Sequence, residues 1–307
     1  MGQKVVKVID LVPGSTSELP SIRANTLDSE SFWTEYVCKH VPVIIRGAAS
    51  DWPAVRAWQQ PGYLEARCGN GKLGMSRTFN IMASARLARL SVNKHVRTLA
   101  ESMREMRAAP DHETYSVPSI SVPPQWAPDL GNFSFLARKY DRSPQTYRRQ
   151  RLFIYKNAST EWHYHSLDET LTTQLVGAKR VSLFRLDATN WDSYSLPIQA
   201  NIHHMSCGPS YFPPAAELNK VEGVLQAGDA LYLPPFWWHG IDPADSQLGI
   251  TLAQCFRTPL RRLGAWQEPA TRQMLSDVYA QNKALYVYAM GMLAVSSLSR
   301  LVANERW

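Results

Sequence analysis

The chain has 307 residues, of which 45% are hydrophobic and 19% are charged, and its net charge is +7. This composition is typical of a folded chain with a substantial core and excludes an intrinsically disordered protein. The four cysteines lie far apart and form no C-x-x-C pair, which argues against a disulfide framework and a cysteine-based zinc site. The longest uncharged run, residues 284–299, is shorter than the ~20 residues of a membrane span. We therefore expect a soluble, intracellular protein of the cytoplasm or nucleus, with no membrane partner.

The first half of the chain predicts a mixture of helices and strands. A helix is expected over residues 29–39, with Asp28 as its cap, and the buried strand "VPVIIRG" then ends at Gly47. Helical spacing recurs over residues 62–68 and 96–108. A proline-rich stretch follows and indicates a loop or an edge strand. The positive charges concentrated over residues 86–151 fit either an anionic partner, such as RNA, or a solvated face.

From residue 152 to residue 256 the pattern changes to short strands separated by turn residues. These strands are "LFIYK", "TLTTQLVG", "KRVSLFRL", "GVLQAG", "ALYLP" and "GITLAQCF". Such a succession is typical of a small β-barrel or jelly roll. We predict N-terminal helices and first strands over residues 1–150, a barrel core over 151–258, and a C-terminal helical segment over 259–307.

The last predicted helix has two apolar stripes. Leu285, Tyr288 and Met292 begin one stripe, and Val287 and Gly291 begin the other. A helix that is apolar on two faces must cover both of them. The sequence therefore favours a homodimer, in which one face packs on the barrel and the other on a second subunit; the alternative is a helix buried within one subunit.

Two distant segments carry candidate metal ligands. The stretch "STEWHYHSLDE" contains His163 and His165, which strand geometry places on one face. Downstream, "QAGDALYLPPFWWHGID" brings His239 after a strand and a tight aromatic turn. Because neighbouring strands of a closed barrel need not be neighbours in sequence, one metal ion could take ligands from both segments.

Together the segments "STEWHYH", "GAKRVSLF" and "GDALYLPPFWWH", preceded by "VPVIIRGAASDWPAVRAW", resemble the cupin-like JmjC oxygenases over roughly residues 40–258. Among family members the chain looks most similar to the asparaginyl hydroxylase of hypoxia-inducible factor and the wybutosine tRNA hydroxylase. The resemblance implies a mainly β fold with flanking helices, a double-stranded β-helix that holds Fe(II) and 2-oxoglutarate and reacts with O2. It also implies that His163 and His239 are metal ligands.

The same resemblance implies a site for the co-substrate. Thr160 matches a hydroxyl that binds the distal carboxylate of 2-oxoglutarate, and Lys179 matches the basic residue that pairs with it. Strand alternation independently places Lys179 on the face of Val181, where a buried ammonium group is costly unless it meets an anion. Tyr155, on the strand that enters the first motif, is a further candidate for a hydrogen bond to 2-oxoglutarate.

The chain departs from the family pattern at His165, where the family has Asp or Glu. Three arrangements follow. His163, His165 and His239 form an all-histidine site, with Glu169 as a possible fourth ligand in the H-x-H-x(3)-E pattern of wider cupins. Alternatively, a local shift brings Asp168 or Glu169 into the place of the missing carboxylate. In the third arrangement metal binding is weakened and the protein is a non-catalytic relative.

The leading functional hypothesis is an Fe(II)- and 2-oxoglutarate-dependent oxygenase that hydroxylates a C–H bond or demethylates through hydroxylation. Its substrate could be a protein side chain, a modified RNA base or a small metabolite. A three-histidine cupin that does not use 2-oxoglutarate and a catalytically silent JmjC-like binding protein are the alternatives. Thr160 and Lys179 favour the first hypothesis, because a cupin without the keto acid does not need them.

Overall fold

The computed structural model describes residues 7–12, 14–75, 95–117, 119–144, 147–165, 168–185, 218–235, 237–257, 275–276, 279 and 283–302. The strands are β1 (Ser15–Glu18), β2 (Ser21–Arg23), β3 (Val43–Arg46), β4 (Lys72–Met75), β5 (His95–Thr98), β6 (Tyr115–Ser116), β7 (Gln150–Lys156), β8 (Thr160–His163), β9 (Asp168–Val176), β10 (Lys179–Arg185), β11 (Asn219–Leu225), β12 (Ala230–Leu233), β13 (Trp237–Pro243) and β14 (Leu248–Arg257). The helices are α1 (Ser29–Ser31, continued by a π-helical turn over Phe32–Val37), α2 (Pro53–Ala57), α3 (Leu99–Ala108) and α4 (Lys283–Val302). Single 3₁₀ turns lie at Ile9–Leu11, Ala24–Thr26, Glu65–Arg67 and Ala127–Asp129.

Two sheets form the centre of the molecule. One has five strands in the order β1-β11-β10-β13-β8, and the other has seven in the order β2-β3-β12-β9-β14-β7-β6. Neighbours in each sheet come from distant parts of the sequence, as in a jelly roll. The predicted mainly β cupin fold is thereby confirmed, and the crossing connections bring the two histidine segments into one sheet.

Two central strands of the seven-stranded sheet, β9 and β14, are buried on both faces. Every residue of β9 is buried, and β14 is buried except at its last residue. On one face of β9, Leu171 and Leu175 join a large apolar core with the helices and with β3. On the other face, Thr170 and Thr172 line a cavity between the sheets. This alternation is what gives the barrel a polar interior beside an apolar outer core.

The segment before residue 151 contributes strands to both sheets. β1 pairs in parallel with β11 of the five-stranded sheet, while β3 pairs with β12 of the seven-stranded sheet. Asp242 of β13 also accepts the backbone N–H groups of Val8 and Ile9, at 3.0 and 3.1 Å. The N-terminal residues are therefore held to β13 of the five-stranded sheet.

Three predicted helices differ from the structure in instructive ways. The helix expected over residues 29–39 begins as predicted, since the side chain of Asp28 accepts the N–H of Ser31 at 2.7 Å, but it winds as a π turn and ends at Val37. The helix expected over 62–68 is only the 3₁₀ turn Glu65–Arg67. The prediction for 96–108 was wrong at its start. Thr98 caps α3 through a capping box, and the preceding residues form β5.

The C-terminal helix α4 presents apolar side chains to solvent. Val287 is 69% exposed, Leu298 is 60% exposed, and Val295 and Tyr288 are about half exposed. Within the described part of the chain, no helix is long and apolar enough to cross a membrane.

Candidate metal centre and its cavity

Three histidines converge on one point inside the barrel. Ligand nitrogens of His163, His165 and His239 all lie within 4.8 Å of one another. The ring centroids of His163 and His239 are 4.1 Å apart. The ring centroid of His165 lies 5.3 Å from that of His163 and 5.0 Å from that of His239. Imidazole nitrogens at such separations can share one divalent ion. The structure therefore brings together all three of the histidines that the sequence offered as ligands.

The pairing of β8 with β13 places two of these ligands. His163 is the direct cross-strand partner of His239, and the register shifts between His239 and Ile241, as in a β-bulge. His165 lies two residues beyond the end of β8. Its ring contacts the hydroxyl of Thr170 on β9.

Hydrogen bonds at Nδ1 orient two of the rings. The Nδ1 atom of His239 lies 3.0 Å from the carbonyl oxygen of Trp237, which can only accept, so this nitrogen carries the proton. In the neutral ring Nε2 is then free to bind a metal. The Nδ1 atom of His165 lies 2.9 Å from the hydroxyl of Thr170, and that hydroxyl lies 3.7 Å from the sulfur of Cys255. Such contacts are typical of the outer shell of a metal site.

Burial keeps these imidazoles neutral. His239 is 2% exposed and His165 is 8% exposed. Burial, followed by the neighbouring histidines, lowers the pKa of His165 well below its ordinary value, and burial likewise lowers the pKa of His239. Both rings are therefore unprotonated at neutral pH, which is the form that binds a metal ion.

Neither neighbouring carboxylate belongs to the three-histidine cluster. Glu169 lies on the face of β9 opposite Thr170, and its Oε2 accepts the hydroxyl of Tyr232 at 2.7 Å. Asp168 accepts the backbone N–H of Tyr147 at 3.1 Å. The geometry thus matches the all-histidine arrangement without Glu169 as a fourth ligand.

A buried lysine faces the same cavity. Lys179 is 3% exposed, and its Nζ lies 4.8 Å from the ring centroid of Tyr155. Burial lowers the pKa of this ammonium group to about 7. Among the described residues no carboxylate forms an ion pair with it. Thr160 lines the same cavity. The cavity, of about 150 Å³, therefore contains a cation for which the described protein supplies no counter-ion.

Tyr155 lies at the Lys179 end but directs its hydroxyl to another partner. The hydroxyl accepts the side-chain amide of Gln174 at 3.1 Å, and the hydroxyl of Thr251 donates to the same Gln174 at 2.9 Å. Burial raises the pKa of the phenol. A Cβ on Gly249 would lie 2.3 Å from the Tyr155 ring, so the ring fits here because residue 249 has no side chain.

The two tryptophans that precede His239 lie outside the cavity. Trp237 donates its indole N–H to the carbonyl of His40 at 2.9 Å, and Trp238 packs against Phe184, so neither lines the cavity. His203 and His204 lie outside the described residues.

The sequence interpretation missed several cavity residues. The strand β9 contributes Thr170 and Thr172, β14 contributes Thr251 and Ala253, and β7 contributes Arg151 and Phe153. Alternation along the strand "TLTTQLVG" was the signal that could have identified the threonines. The same alternation, along β7, places Arg151 on the face of Phe153 and Tyr155.

The donor set fits a divalent transition metal. Three imidazoles that converge on one point could hold an ion and leave positions on it for other ligands, as in iron oxygenases with three protein ligands. An unpaired cation within the same cavity fits a co-substrate with two carboxylates. The residues present are thus suited to Fe(II) and to a dicarboxylate keto acid.

Comparison with known proteins agrees with this architecture. A family model described as a cupin-like domain matches residues 29–258. The lysine-specific demethylase JMJ30 of Arabidopsis thaliana is 24% identical over 234 residues, which are 73% of this chain and 52% of that protein. Jumonji C domain-containing protein 5 of Drosophila melanogaster is 22% identical over 236 residues, which are 73% of this chain and 57% of that protein.

The chain spans about half the length of these curated relatives. Their names confirm the resemblance to JmjC proteins. The closer likeness to the asparaginyl and wybutosine hydroxylases stays a prediction.

Proposed function

The chain belongs to the cupin-like domain family, in its JmjC form, and on this premise we propose that it is an Fe(II)- and 2-oxoglutarate-dependent oxygenase. His163, His165 and His239 hold the metal. The substrate is a C–H or N-methyl group of a protein side chain, a modified RNA base or a small metabolite. The name of the Arabidopsis relative, a lysine-specific demethylase, is compatible with the N-methyl branch of this proposal.

The observation that carries the proposal is the buried ammonium group of Lys179. Its backbone lies on β10, opposite Pro243 of β13, and Thr160 lies opposite Ile241 of the same strand. A lysine and a hydroxyl thus line the cavity from the strands on either side of β13, removed along the strands from the histidines. This placement suits a short dicarboxylate that reaches from the metal to Lys179.

Residues of the chain orient the keto acid and the metal ligands, and they exclude water from the cavity. When bound, the metal and keto acid supply the oxidising power that an unactivated C–H bond requires. Lys179 and Thr160 bind the distal carboxylate, and the carbonyl of Trp237 holds the proton of His239 at Nδ1. The apolar side chains of Phe153 and Ile241 line the cavity and limit access of water to it.

A three-ligand site leaves enough positions for this chemistry. Three protein ligands would leave a bound ion with positions for both the keto acid and O2. A fourth protein ligand would leave too few. The hydrogen bond from Tyr232 to Glu169, on the opposite face of β9, supports the three-ligand assignment.

A second candidate is a three-histidine cupin oxygenase that does not use 2-oxoglutarate. The observation that favours it is His165 itself, which replaces the carboxylate of the JmjC pattern. A cupin of this kind would leave Lys179 without an anionic partner. Whether the protein binds the keto acid therefore distinguishes the two candidate functions.

The test is an anaerobic titration of the protein with Fe(II) and 2-oxoglutarate, followed through the visible metal-to-ligand charge-transfer band. We expect a saturable band in the wild type and in Lys39→Met, a control at an exposed lysine. Lys179→Met should weaken 2-oxoglutarate binding at least about tenfold while retaining the metal. Metal binding without a band would favour the second candidate, and no metal binding would favour a silent relative.

We also propose a homodimer formed through α4. The exposed apolar side chains of Val287 and Leu298 support it, because large apolar residues in solvent commonly mark an interaction surface.

A further inference from the structure

A second cation lines the cavity, and its environment differs from that of Lys179. The guanidinium carbon of Arg151 lies 4.4 Å from the ring centroid of Tyr147 and 5.6 Å from that of Phe153. One terminal nitrogen donates to the sulfur of Cys255 at 3.7 Å, a weak acceptor. Its Nε is buried and has no hydrogen-bond partner. Among the described residues no carboxylate pairs with Arg151.

The strand register places Arg151 near the histidines. Arg151 lies opposite Ala253 on β14, and Ala253 lies opposite Thr172 on β9, one alternation from the Thr170 that contacts His165. The side chain reaches towards Cys255, which is the cross-strand partner of Thr170. The positive charge of Arg151 accordingly acts on His165. The guanidinium group of Arg151 therefore lies at the metal end of the cavity, whereas Lys179 faces Tyr155 at the other end.

The charge in the cavity is not balanced by the proposed co-substrate alone. The cavity lining contains Lys179, Arg151 and the three histidines, and within the described chain it includes no Asp or Glu. A carboxylate ligand in place of His165 would lower the positive charge, but that position is an imidazole. A divalent ion, Lys179 and Arg151 together bring more positive charge than one dianion and the buried carboxylate of Asp168, whose charge acts on Tyr147 and Cys255, can offset. Charge of one sign in a buried site calls for an anionic ligand.

We propose that Arg151 binds a carboxylate of the primary substrate, so that this oxygenase site selects an acidic substrate. The inference rests on the proposed function. The ring of Tyr147 holds the guanidinium flat, and a planar fork matches a carboxylate through two parallel N–H···O bonds. Arg151 thereby becomes the specificity-determining residue at the metal end of the cavity.

The experiment uses acetate as the probe and acetamide as its neutral isostere. Acetate binding to the Fe(II) protein, with and without 2-oxoglutarate, is measured anaerobically by calorimetry in the wild type, Arg151→Gln and Arg148→Gln. Arg148 is a matched control in the same segment, because it is exposed and bonds to Ser121. We expect wild-type binding of acetate and not of acetamide, at least about tenfold weaker acetate binding in Arg151→Gln, and no change in Arg148→Gln.

The affinity for 2-oxoglutarate is measured in the same variants. If Arg151→Gln changes it less than about threefold while acetate binding is lost, the inference stands. Equal acetate binding in the wild type and Arg151→Gln, or a loss of 2-oxoglutarate affinity as large as that of acetate, overturns it. Thermal unfolding and metal content of Arg151→Gln show that the variant is folded, and Arg151→Lys provides a second, charge-conserving variant. Because calorimetry needs no charge-transfer band, a wild type without that band contradicts the proposed function and leaves the acetate result to decide the role of Arg151.

Discussion

His239 lies directly opposite His163 on neighbouring antiparallel strands, and their ring centroids are 4.1 Å apart. The two residues are far apart in the sequence, and only the order β10-β13-β8 in the five-stranded sheet makes them neighbours. Because the pairing belongs to the sheet itself, two of the three candidate ligands are held by the same hydrogen bonds that hold the barrel. Rigid strands give a more exact ligand geometry than loops do.

The contact between Thr170 and His165 predicts an effect on metal affinity. Thr170→Val removes the hydroxyl that lies 2.9 Å from Nδ1 of His165 and keeps the shape of the side chain. Loss of such an outer-shell partner weakens metal binding by about 10- to 100-fold. Competition with a chelator measures the change. Thr172→Val, on the same face of β9, is the control and should retain wild-type affinity.

The pKa of Lys179 predicts how 2-oxoglutarate binding depends on pH. Burial lowers it from 10.5 to about 7, so the ammonium group of the free protein loses its proton above pH 7. A carboxylate pairs with the protonated form, and the apparent affinity should fall by up to about tenfold for each pH unit above 7. Titrations at several pH values from 6.5 to about 8.5 test this, with Lys179→Met expected to show a flat profile. A wild-type affinity that is constant over this range would contradict the assignment.

The lowered pKa of Lys179 also makes the stability of the fold depend on pH. The unfolded ammonium group keeps its proton up to its ordinary pKa of 10.5, whereas the folded one loses it near 7. Between these values the unfolded state binds more protons, so stability rises with pH across this window. The destabilising effect of Lys179 is present in full below pH 7, where a bound dicarboxylate should raise the melting temperature most.

Gly249 predicts a local stability effect beside the site. A Cβ at this position would lie 2.3 Å from the ring of Tyr155, which is 1% exposed and hydrogen-bonded to Gln174. Gly249→Ala should therefore destabilise the fold by about 1–3 kcal/mol or more. Gly69→Ala, where no atom lies within 4 Å of the added Cβ, is the control. Urea unfolding measures both, and an unchanged midpoint for Gly249→Ala would show that Tyr155 can move.

The exposed apolar residues of α4 predict the oligomeric state. Val287 and Leu298 are 69% and 60% exposed. If α4 forms the dimer, the double variant Val287→Glu, Leu298→Glu should be a monomer with unchanged metal content, because it places charges within an apolar interface. Light scattering coupled to gel filtration distinguishes the two states. Ser276→Glu, at an exposed position before α4, should stay dimeric.

Much of the barrel could be predicted because its strands are strongly patterned. Six predicted strands correspond to β7, β9, β10, β11, β12 and β14. Alternation on β10 also placed Lys179 correctly, since Arg180 lies on the other face and pairs with Glu222 at 2.8 Å. The resemblance to JmjC proteins supplied what periodicity did not, namely that two distant histidine segments meet.

What the sequence did not reveal depends on tertiary contacts. The apolar spacing of residues 96–108 predicted one helix, but β5 pairs with β4 and leaves Val96 61% exposed. The spacing of Glu169 from the histidines suggested a ligand, but β9 begins at Asp168 and alternation turns Glu169 towards Tyr232. Arg151 enters the cavity only because β7 joins β14, a pairing that no local pattern encodes.

Anomalous diffraction at the iron edge, from crystals grown anaerobically with Fe(II) and 2-oxoglutarate, tests the central claim most directly. We predict one anomalous peak within coordination distance of His163, His165 and His239, with the distal carboxylate of the keto acid against Lys179. Crystals of His239→Ala should lack the peak, whereas His112→Ala, at an exposed histidine, should retain it. Wild-type crystals with no peak among these three rings, or with the metal bound elsewhere, would contradict the account.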